Sequence, residues 1–380
     1  MQKKLLQAVA VFLMCLGGYK QCAAFGTSFP DARSAAMGST GVASDPRNAV
    51  FFNPALLATG YEEYGWYAMA PSYHKVVADP GNLEGDLNDF LAAANDYYSD
   101  SSAANKTRVE DALAAMKDKD YRQRNATTVL LGVPSRIIAG AFYISKYQVF
   151  SAQSHIGTPD LADPNNVSYN STIDYLGINV NDLGFSGALP LSTRILGIGD
   201  FKLGGTLKLV LVDGISYSES VTSAKLKLYT QGNFDQAATY NLDVGVSKEV
   251  GVWKFGLALQ NAVSQTVNLG DSGKTFTFNP SLRTGLAYRS RRTYFEVDAD
   301  LLKTQQFGVA EKSQYLRVGW EYSPLSWMYL RLGADHDFGG DNLSTLTYGL
   351  GIDIDGIEID AAAISNKDEK GFYAQLTLKI

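Results

Sequence analysis

Four carboxylates that could take part in metal or charge chemistry flank a predicted tight turn near the C-terminus. They are Asp353, Asp355, Glu358 and Asp360. Carboxylates this close repel one another unless they are solvated or paired with cations. The basic side chains that we expect beside them are Arg33, Arg317 and Arg331. We interpret the group as a structural charge network and predict no metal, with a calcium site as the alternative.

Motifs for catalysis are missing from the sequence. It contains no nucleotide-binding Gly-rich loop, no zinc spacing and no Gly-x-Ser-x-Gly nucleophile motif. Asp335-His336-Asp337 combines a histidine with two acids, as some proteases do, but one such tripeptide defines no catalytic geometry. We therefore interpret it as a solvated loop, and expect the other two histidines, His74 and His155, near loops as well. We predict no enzyme and no cofactor.

The elements that carry these residues are strands with a two-residue hydrophobic period. Trp253, Phe255 and Leu257 share one face of such a segment, while Lys254 and Gln260 lie on the other. Connections between the segments alternate between short and long, which is typical of transmembrane barrels with short periplasmic turns and long extracellular loops. A soluble antiparallel sheet shows the same alternation, but aromatic residues near strand ends favour membrane interfaces. We predict an all-β fold, an antiparallel transmembrane barrel of about 14 strands.

The N-terminus has the features of a secretory signal. Lys3 and Lys4 precede an apolar stretch and a small-residue site, so residues 1–24 are predicted to be cleaved. Both cysteines, Cys15 and Cys22, lie in this signal, so we expect none in the mature chain. Removing three lysines changes the formal charge from −6 to −9, because 33 − 3 − 39 = −9. An acidic exported chain gives no support for nucleic-acid binding, and we expect the outer membrane of a Gram-negative bacterium.

Residues 25–60 are too rich in small residues for a wall strand and contain an Asn-Pro-Ala motif. With the preceding Ala-Arg…Met-Gly run, this motif resembles the FadL-like outer-membrane barrels, and most closely the conjugal-transfer TraF-type branch. The resemblance implies an N-terminal hatch, or plug, inside a barrel formed by residues 61–380. The hatch residues that we expect to bind ligand or to gate are Phe51, Phe52, Asn53, Pro54, Ala55 and Leu56. The motif has two interpretations, a simple Asn-Pro turn or an apolar pocket.

The first long connection, residues 75–124, carries apolar residues at helical spacing and is predicted to be a helical extracellular loop. The sequence does not define the strand boundaries between residues 167 and 230.

We favour a FadL-like channel that binds or passes small hydrophobic molecules. The alternative is a structural accessory barrel of a conjugation or secretion apparatus. The expected partners are outer-membrane lipid and a small hydrophobic ligand or, for the alternative, a protein of an envelope apparatus.

Overall fold

The computed structural model describes residues 31–43, 46–59, 65–135, 137–157, 170–193, 199–226, 235–269, 274–305, 312–340 and 344–379. The predicted signal and the first residues of the predicted hatch, 25–30, lie outside these ranges. The strands are β1 (Tyr67–Ala78), β2 (Asp120–Val133), β3 (Ala139–His155), β4 (Thr172–Thr193), β5 (Gly199–Ser220), β6 (Asp235–Val250), β7 (Trp253–Gln260), β8 (Gln265–Leu269), β9 (Lys274–Phe278), β10 (Ser281–Arg289), β11 (Thr293–Asp300), β12 (Thr304–Gln305), β13 (Lys312–Ser313), β14 (Tyr315–Leu325), β15 (Met328–Asp337), β16 (Ser344–Ile354), β17 (Ile357–Ser365) and β18 (Glu369–Lys379). The α-helices are α1 (Ala32–Ala36), α2 (Ala49–Phe52), α3 (Leu83–Ser99) and α4 (Ala103–Ala115), and the 3₁₀ segments are Pro46–Asn48 and Pro54–Thr59.

Fourteen of these strands close into one antiparallel barrel, in which β1 pairs with both β2 and β18. Closure leaves no free strand edge, so the wall satisfies its backbone hydrogen bonds internally. The other four described strands form two separate hairpins, β8–β9 and β12–β13. The prediction of an antiparallel barrel of about 14 strands is confirmed.

The outer face of the wall is apolar. On β5, Leu207, Leu209 and Leu211 are about half exposed, whereas Lys208 and Val210 between them are buried. Further exposed apolar residues on the outer face include Val129, Ile144, Phe185, Phe255, Leu257, Leu286, Leu332, Leu350 and Ile359. A continuous apolar surface of this kind suits lipid rather than water. Within the described part of the chain, no helix is long and apolar enough to cross a membrane.

Short connections collect at the end of the barrel where β1 begins, at residues 134–138, 194–198, 251–252, 290–292, 326–327 and 355–356. The opposite end, here called the loop end, carries the connections 79–119, 156–171, 221–234, 261–280, 301–314, 338–343 and 366–368. The last of these has only three residues, because β17 ends at Ser365 and β18 begins at Glu369. Elsewhere the predicted alternation of short and long connections is present.

Two strands are about twice as long as a membrane crossing requires. β4 and β5 each contain 22 residues, whereas a tilted crossing takes about 10. They fill the region whose strand boundaries the sequence left open. Helices α3 and α4 lie in the connection 79–119, which is shorter than the predicted 75–124 because β1 and β2 extend further toward the loop end. Their buried residues pack against the extended ends of β2, β3 and β4.

Strand β1 is irregular in its middle. Its pairing register shifts after Met69 against both neighbours, resuming at Tyr73 with β18 and at Ser72 with β2. Pro71 lies in this interval and has no backbone N–H to donate, so it interrupts the ladder. The pairing of this strand with β18 closes the wall into a barrel.

Several residues that the sequence assigned to loops belong to strands. His74 is buried in β1, with its ring 4.8 Å from that of Tyr373. The predicted solvated loop Asp335-His336-Asp337 is the end of β15, where Asp337 is buried and accepts hydrogen bonds from backbone N–H groups of the following loop. Strand β14 likewise continues through Ser323 and Pro324 to Leu325, so its connection to β15 consists of residues 326 and 327 alone. In each case the neighbouring strand continues the ladder beyond the point where the local sequence turns polar.

Candidate functional site

The N-terminal segment, residues 31–43 and 46–59, crosses the interior of the barrel. Helix α1 contacts β15, β16, β17 and β18, while Pro54–Thr59 contacts β3, β4, β5 and β6 on the other side. Its described residues are buried, with the exceptions of Ser39 and Ala58, which are half-buried. Many residues of the segment are Ala, Gly or Ser, and these small side chains let its backbone approach the wall closely on both sides.

Wall side chains satisfy the backbone of this segment. Asp298 on β11 accepts hydrogen bonds from the N–H groups of Gly41 at 2.9 Å and Val42 at 3.1 Å. Glu296, two residues before Asp298 on β11, accepts a hydrogen bond from the N–H group of Ala43 at 2.8 Å. Three consecutive donors of an irregular backbone are thus bound by two buried carboxylates, and hydrogen bonds to charged groups are the stronger class.

A row of wall glycines makes room for the segment. At each of them an added Cβ would lie within 3.0 Å of the segment, and they are Gly204, Gly245, Gly256, Gly285, Gly319, Gly333 and Gly349. They lie on β5, β6, β7, β10, β14, β15 and β16, so they follow neighbouring strands around the barrel, with β11 contributing Asp298 in their midst. At Gly319, for example, a Cβ would approach the carbonyl oxygen of Met37 to 2.5 Å. We call this row the glycine belt.

A buried charge network joins the segment to β14, β15 and β17. Arg331 is fully buried; its Nε lies 2.7 Å from Glu321, its Nη1 contacts Asp360, and its Nη2 is 3.7 Å from Glu358. Arg33 of the segment reaches Glu321 with its Nε at 2.9 Å. Buried charges are tolerated when they are paired in this way.

A second segment residue enters the same network. Arg47 pairs with Glu358, which also lies 3.4 Å from the Nζ of Lys379, and Lys379 pairs in turn with Asp353. The sequence had not singled out Arg47, Lys379 or Glu321. Two predicted members lie elsewhere: Arg317 pairs with Asp300 at 2.7 Å, and Asp355 is an exposed turn residue with φ of 50°. Among the described residues no group of three or more His, Cys, Asp or Glu is arranged to hold a metal ion.

The Asn-Pro-Ala motif ties the segment both to itself and to the wall. The Asn53 side chain accepts a hydrogen bond from the N–H of Ala55 at 3.1 Å, which is the local turn contact. Its Nδ2 also donates to the carbonyl oxygens of Val42 at 2.8 Å and Val246 at 3.0 Å. Asn53 therefore joins the two halves of the segment and fixes them to β6. The gating or ligand-binding role of the motif stays a prediction.

Three apolar clusters follow one another along the inner face of β2 to β5. The segment cluster contains Phe51, Phe52, Leu56, Tyr67, Met69, Leu130, Ala141, Tyr143 and Ala188. The hairpin cluster contains Tyr147, Val149, Ile178, Val180, Val210, Val212, Val267, Phe276 and Phe278. The loop-end cluster contains Leu83, Leu87, Phe90, Val109, Leu113, Tyr121, Phe150, Ile173 and Tyr175. Apolar surface thus runs from the loop end of the barrel to Phe51 and Phe52.

The hairpin β8–β9 supplies the inner partners of the middle cluster. Although it belongs to a loop-end connection, its Val267, Phe276 and Phe278 are buried against valines and Ile178 of the wall. We had predicted no hairpin in this connection from the sequence. Its alternating Thr and Phe residues were the available signal, over a run too short to separate from a loop.

A polar group interrupts the apolar surface between the hairpin and segment clusters. It comprises Tyr143, Asp182, Lys208, Asp243 and Asn261, all of them buried, and is called here the Asp182 cluster. The Tyr143 hydroxyl donates to Asp182 at 2.9 Å. The Lys208 ammonium lies 2.7 Å from both Asp243 and the Asn261 side-chain oxygen.

Solved barrels with related architecture are known. The Pseudomonas putida toluene transporter TodX superposes with a TM-score of 0.55 at 11% identity, covering 92% of this chain and 97% of that one. The CymD monoaromatic hydrocarbon channel gives 0.55 at 10% identity, covering 94% and 99%. A Pseudomonas aeruginosa FadL homologue gives 0.46 at 11% identity, covering 96% and 100%. No curated protein sequence matches the chain.

The first two likenesses are to barrels of the same fold, and they agree with the FadL-like barrel predicted from the sequence. The model of a protein family described as "F plasmid transfer operon, TraF, protein" matches residues 50–301, well over half of the chain. The predicted resemblance to TraF-type proteins is therefore confirmed, and the chain belongs to this TraF family.

Proposed function

We propose that the chain is an outer-membrane channel for small hydrophobic molecules, without catalytic activity, in which the N-terminal segment acts as the plug. The observation that carries the proposal is the apolar surface formed by the loop-end, hairpin and segment clusters along one side of the lumen. The opposite side of the lumen carries the buried charge network and a smaller apolar cluster of mostly alanine side chains. The similarity to channels for toluene and other monoaromatic hydrocarbons supports the same choice of solute.

The location follows from the wall. Its exposed apolar face requires lipid, and a closed barrel of 14 strands is the form in which strands cross an outer membrane. A predicted signal sequence provides the export route.

The plug interpretation rests on how the segment is held. Two buried arginines, three carboxylate-bound backbone N–H groups and the glycine belt fix it across the lumen. The segment is held by ion pairs at one side, and at the other by an apolar cluster with hydrogen bonds from Gln260 to the Phe51 carbonyl oxygen and from Asn53 to that of Val246. In our proposal the side without ion pairs detaches while the other side stays anchored. The apolar side, at Phe51 and Phe52, is the side that a hydrophobic solute would reach.

A second candidate function is an accessory barrel of a transfer apparatus. The description of the family, a protein of a plasmid transfer operon, favours it. In that case the segment is a permanent filling of the lumen, and the loop end with α3 and α4 is the surface that a partner protein would contact.

Uptake of toluene by cells that produce the barrel separates the two functions. In the channel, deletion of residues 31–57 removes the obstruction and changes the rate and selectivity of uptake, while the wall keeps its heat-modifiable mobility on gels. Equal uptake by cells with the intact barrel, the deletion and no barrel contradicts the channel. The Asp174→Asn variant, which changes an exposed residue of β4, is the matched control and should take up toluene like the unchanged protein.

A further inference from the structure

The Asp182 cluster lies where an apolar solute would pass from the hairpin cluster to the segment cluster. On the inner face of β4, Asp182 follows Val180 of the first and precedes Ala188 of the second. The Tyr143 ring belongs to the segment cluster and lies edge-on to Phe51 at 5.3 Å between centroids. A carboxylate is therefore placed among side chains that are otherwise suited to hydrocarbon.

Only one of the two oxygens of the Asp182 carboxylate accepts a hydrogen bond from a described residue. Its Oδ2 accepts the Tyr143 hydroxyl at 2.9 Å, but its Oδ1 is buried and has no hydrogen-bond partner among the described residues. The residue as a whole is 8% exposed. A buried carboxylate oxygen without a donor is costly, so a donor that enters the site would be stabilised there.

The nearest cation is already engaged. Lys208 binds Asp243 and Asn261, and the charges of Asp182, Lys208 and Asp243 sum to −1 − 1 + 1 = −1. An incoming anion would face this net negative charge in a site of low dielectric constant. A neutral donor would not.

We propose that Asp182 is a recognition site for the hydroxyl group of an otherwise apolar solute, so that the lumen selects phenol-like molecules over both plain hydrocarbons and carboxylates. The proposal rests on the channel function and specifies its substrate class. The apolar ring packs among the hairpin and segment clusters, while its O–H donates to Oδ1 of Asp182. The Tyr143 hydroxyl binds the other carboxylate oxygen, Oδ2, and leaves Oδ1 to the solute.

Three ligands of nearly equal shape test the proposal: p-cresol, toluene and the p-toluate anion. They share the ring and one substituent and differ in carrying a donor, no polar group or an anion. Binding to the full barrel in detergent is measured by equilibrium dialysis, with binding to protein-free micelles subtracted. We expect p-cresol to bind about tenfold more tightly than toluene, as one hydrogen bond to a charged acceptor allows, and p-toluate to bind more weakly than either.

Variants assign the preference to the site. Asp182→Leu should abolish the advantage of p-cresol over toluene, Tyr143→Phe should keep it because it leaves both carboxylate oxygens available, and Asp174→Leu on the same strand should leave it unchanged. Equal affinity of the unchanged protein for p-cresol and toluene overturns the proposal while the channel function stands. Failure of all three ligands to bind overturns both. The comparison within the unchanged protein decides the matter even if Asp182→Leu fails to fold.

Discussion

Replacement of Asp298 by Ala should release the middle of the N-terminal segment without opening the barrel wall. The change removes two hydrogen bonds, from the N–H groups of Gly41 and Val42, to a buried carboxylate. Each such bond contributes about 1.5–3 kcal/mol, and the saved cost of burying a charge offsets part of the loss. We expect the free energy of local opening of the segment to fall by about 3 kcal/mol, a factor of about 100 in the opening equilibrium.

Hydrogen–deuterium exchange of the purified barrel reads this equilibrium directly. Peptides that cover residues 38–43 should exchange about 100-fold faster in Asp298→Ala, while peptides from the paired centres of β4 and β5 stay protected. Asp300→Asn is the matched control, because Asp300 lies on the same strand and face but binds Arg283 and Arg317 of the wall instead of the segment. Unchanged exchange of the segment in Asp298→Ala, or an equal acceleration in the Asp300 variant, would refute the assignment of Asp298 as its anchor.

Three further predictions use other contacts. Gly333→Val should expel the segment from the glycine belt and make it sensitive to protease, whereas Gly187→Val, where an added Cβ meets nothing within 4 Å, should not. Arg331→Leu leaves the buried acids around it without their shared cation and should destabilise the barrel by about 3–5 kcal/mol in urea unfolding, whereas loss of the half-exposed Arg108 pair should cost at most about 1 kcal/mol. An epitope inserted after Gly339, in a loop-end connection, should be labelled by antibody on intact cells. If it is not labelled, the loop end does not face the outside of the cell and the predicted topology is wrong.

Most of the fold could be predicted from the sequence, because the two-residue hydrophobic period of a barrel strand is visible in the sequence of that strand alone. Alternate residues of β5, β7 or β17 meet lipid and lumen, and the side-chain pattern does not depend on which strand lies beside them. Strand ends were harder. The last residues of β15 and the first of β2 are polar on both faces, since they continue beyond the membrane, and only pairing with a neighbour holds them in the ladder.

The candidate site could be predicted only in part. The motif around Asn53 and the acids Glu358 and Asp360 were evident from residue type, but their partners were not. Arg47 pairs with Glu358 across 311 positions of sequence, and nothing local specifies that contact. Similarly, Asp298 had the appearance of an ordinary inward acid, and its role depends on the register that brings it to a backbone turn.

The glycine belt shows the same limit. Inward glycines make room in the lumen, and their alignment across seven strands follows from the pairing registers, such as Gly319 opposite Gly333 and Gly285 opposite Gly256. The apolar clusters were also out of reach, because the hairpin β8–β9 enters the lumen from a connection that the sequence gives no reason to fold inward.

The central claim, that the N-terminal segment controls passage through the lumen, is tested most directly by locking it to the wall. A Cβ at Gly285 would lie 3.0 Å from the Cβ of Val42 and 2.4 Å from Oδ1 of Asp298. The Cβ atoms of a disulfide are about 3.8 Å apart, so the bridge forms once the segment and the Asp298 side chain have each moved by about 1 Å. The double variant Val42→Cys, Gly285→Cys introduces the only cysteines expected in the mature chain. Toluene uptake should be lost when this pair is oxidised and should return on reduction, with each single variant unaffected by either treatment. Equal uptake by the oxidised and reduced double variant would contradict the account.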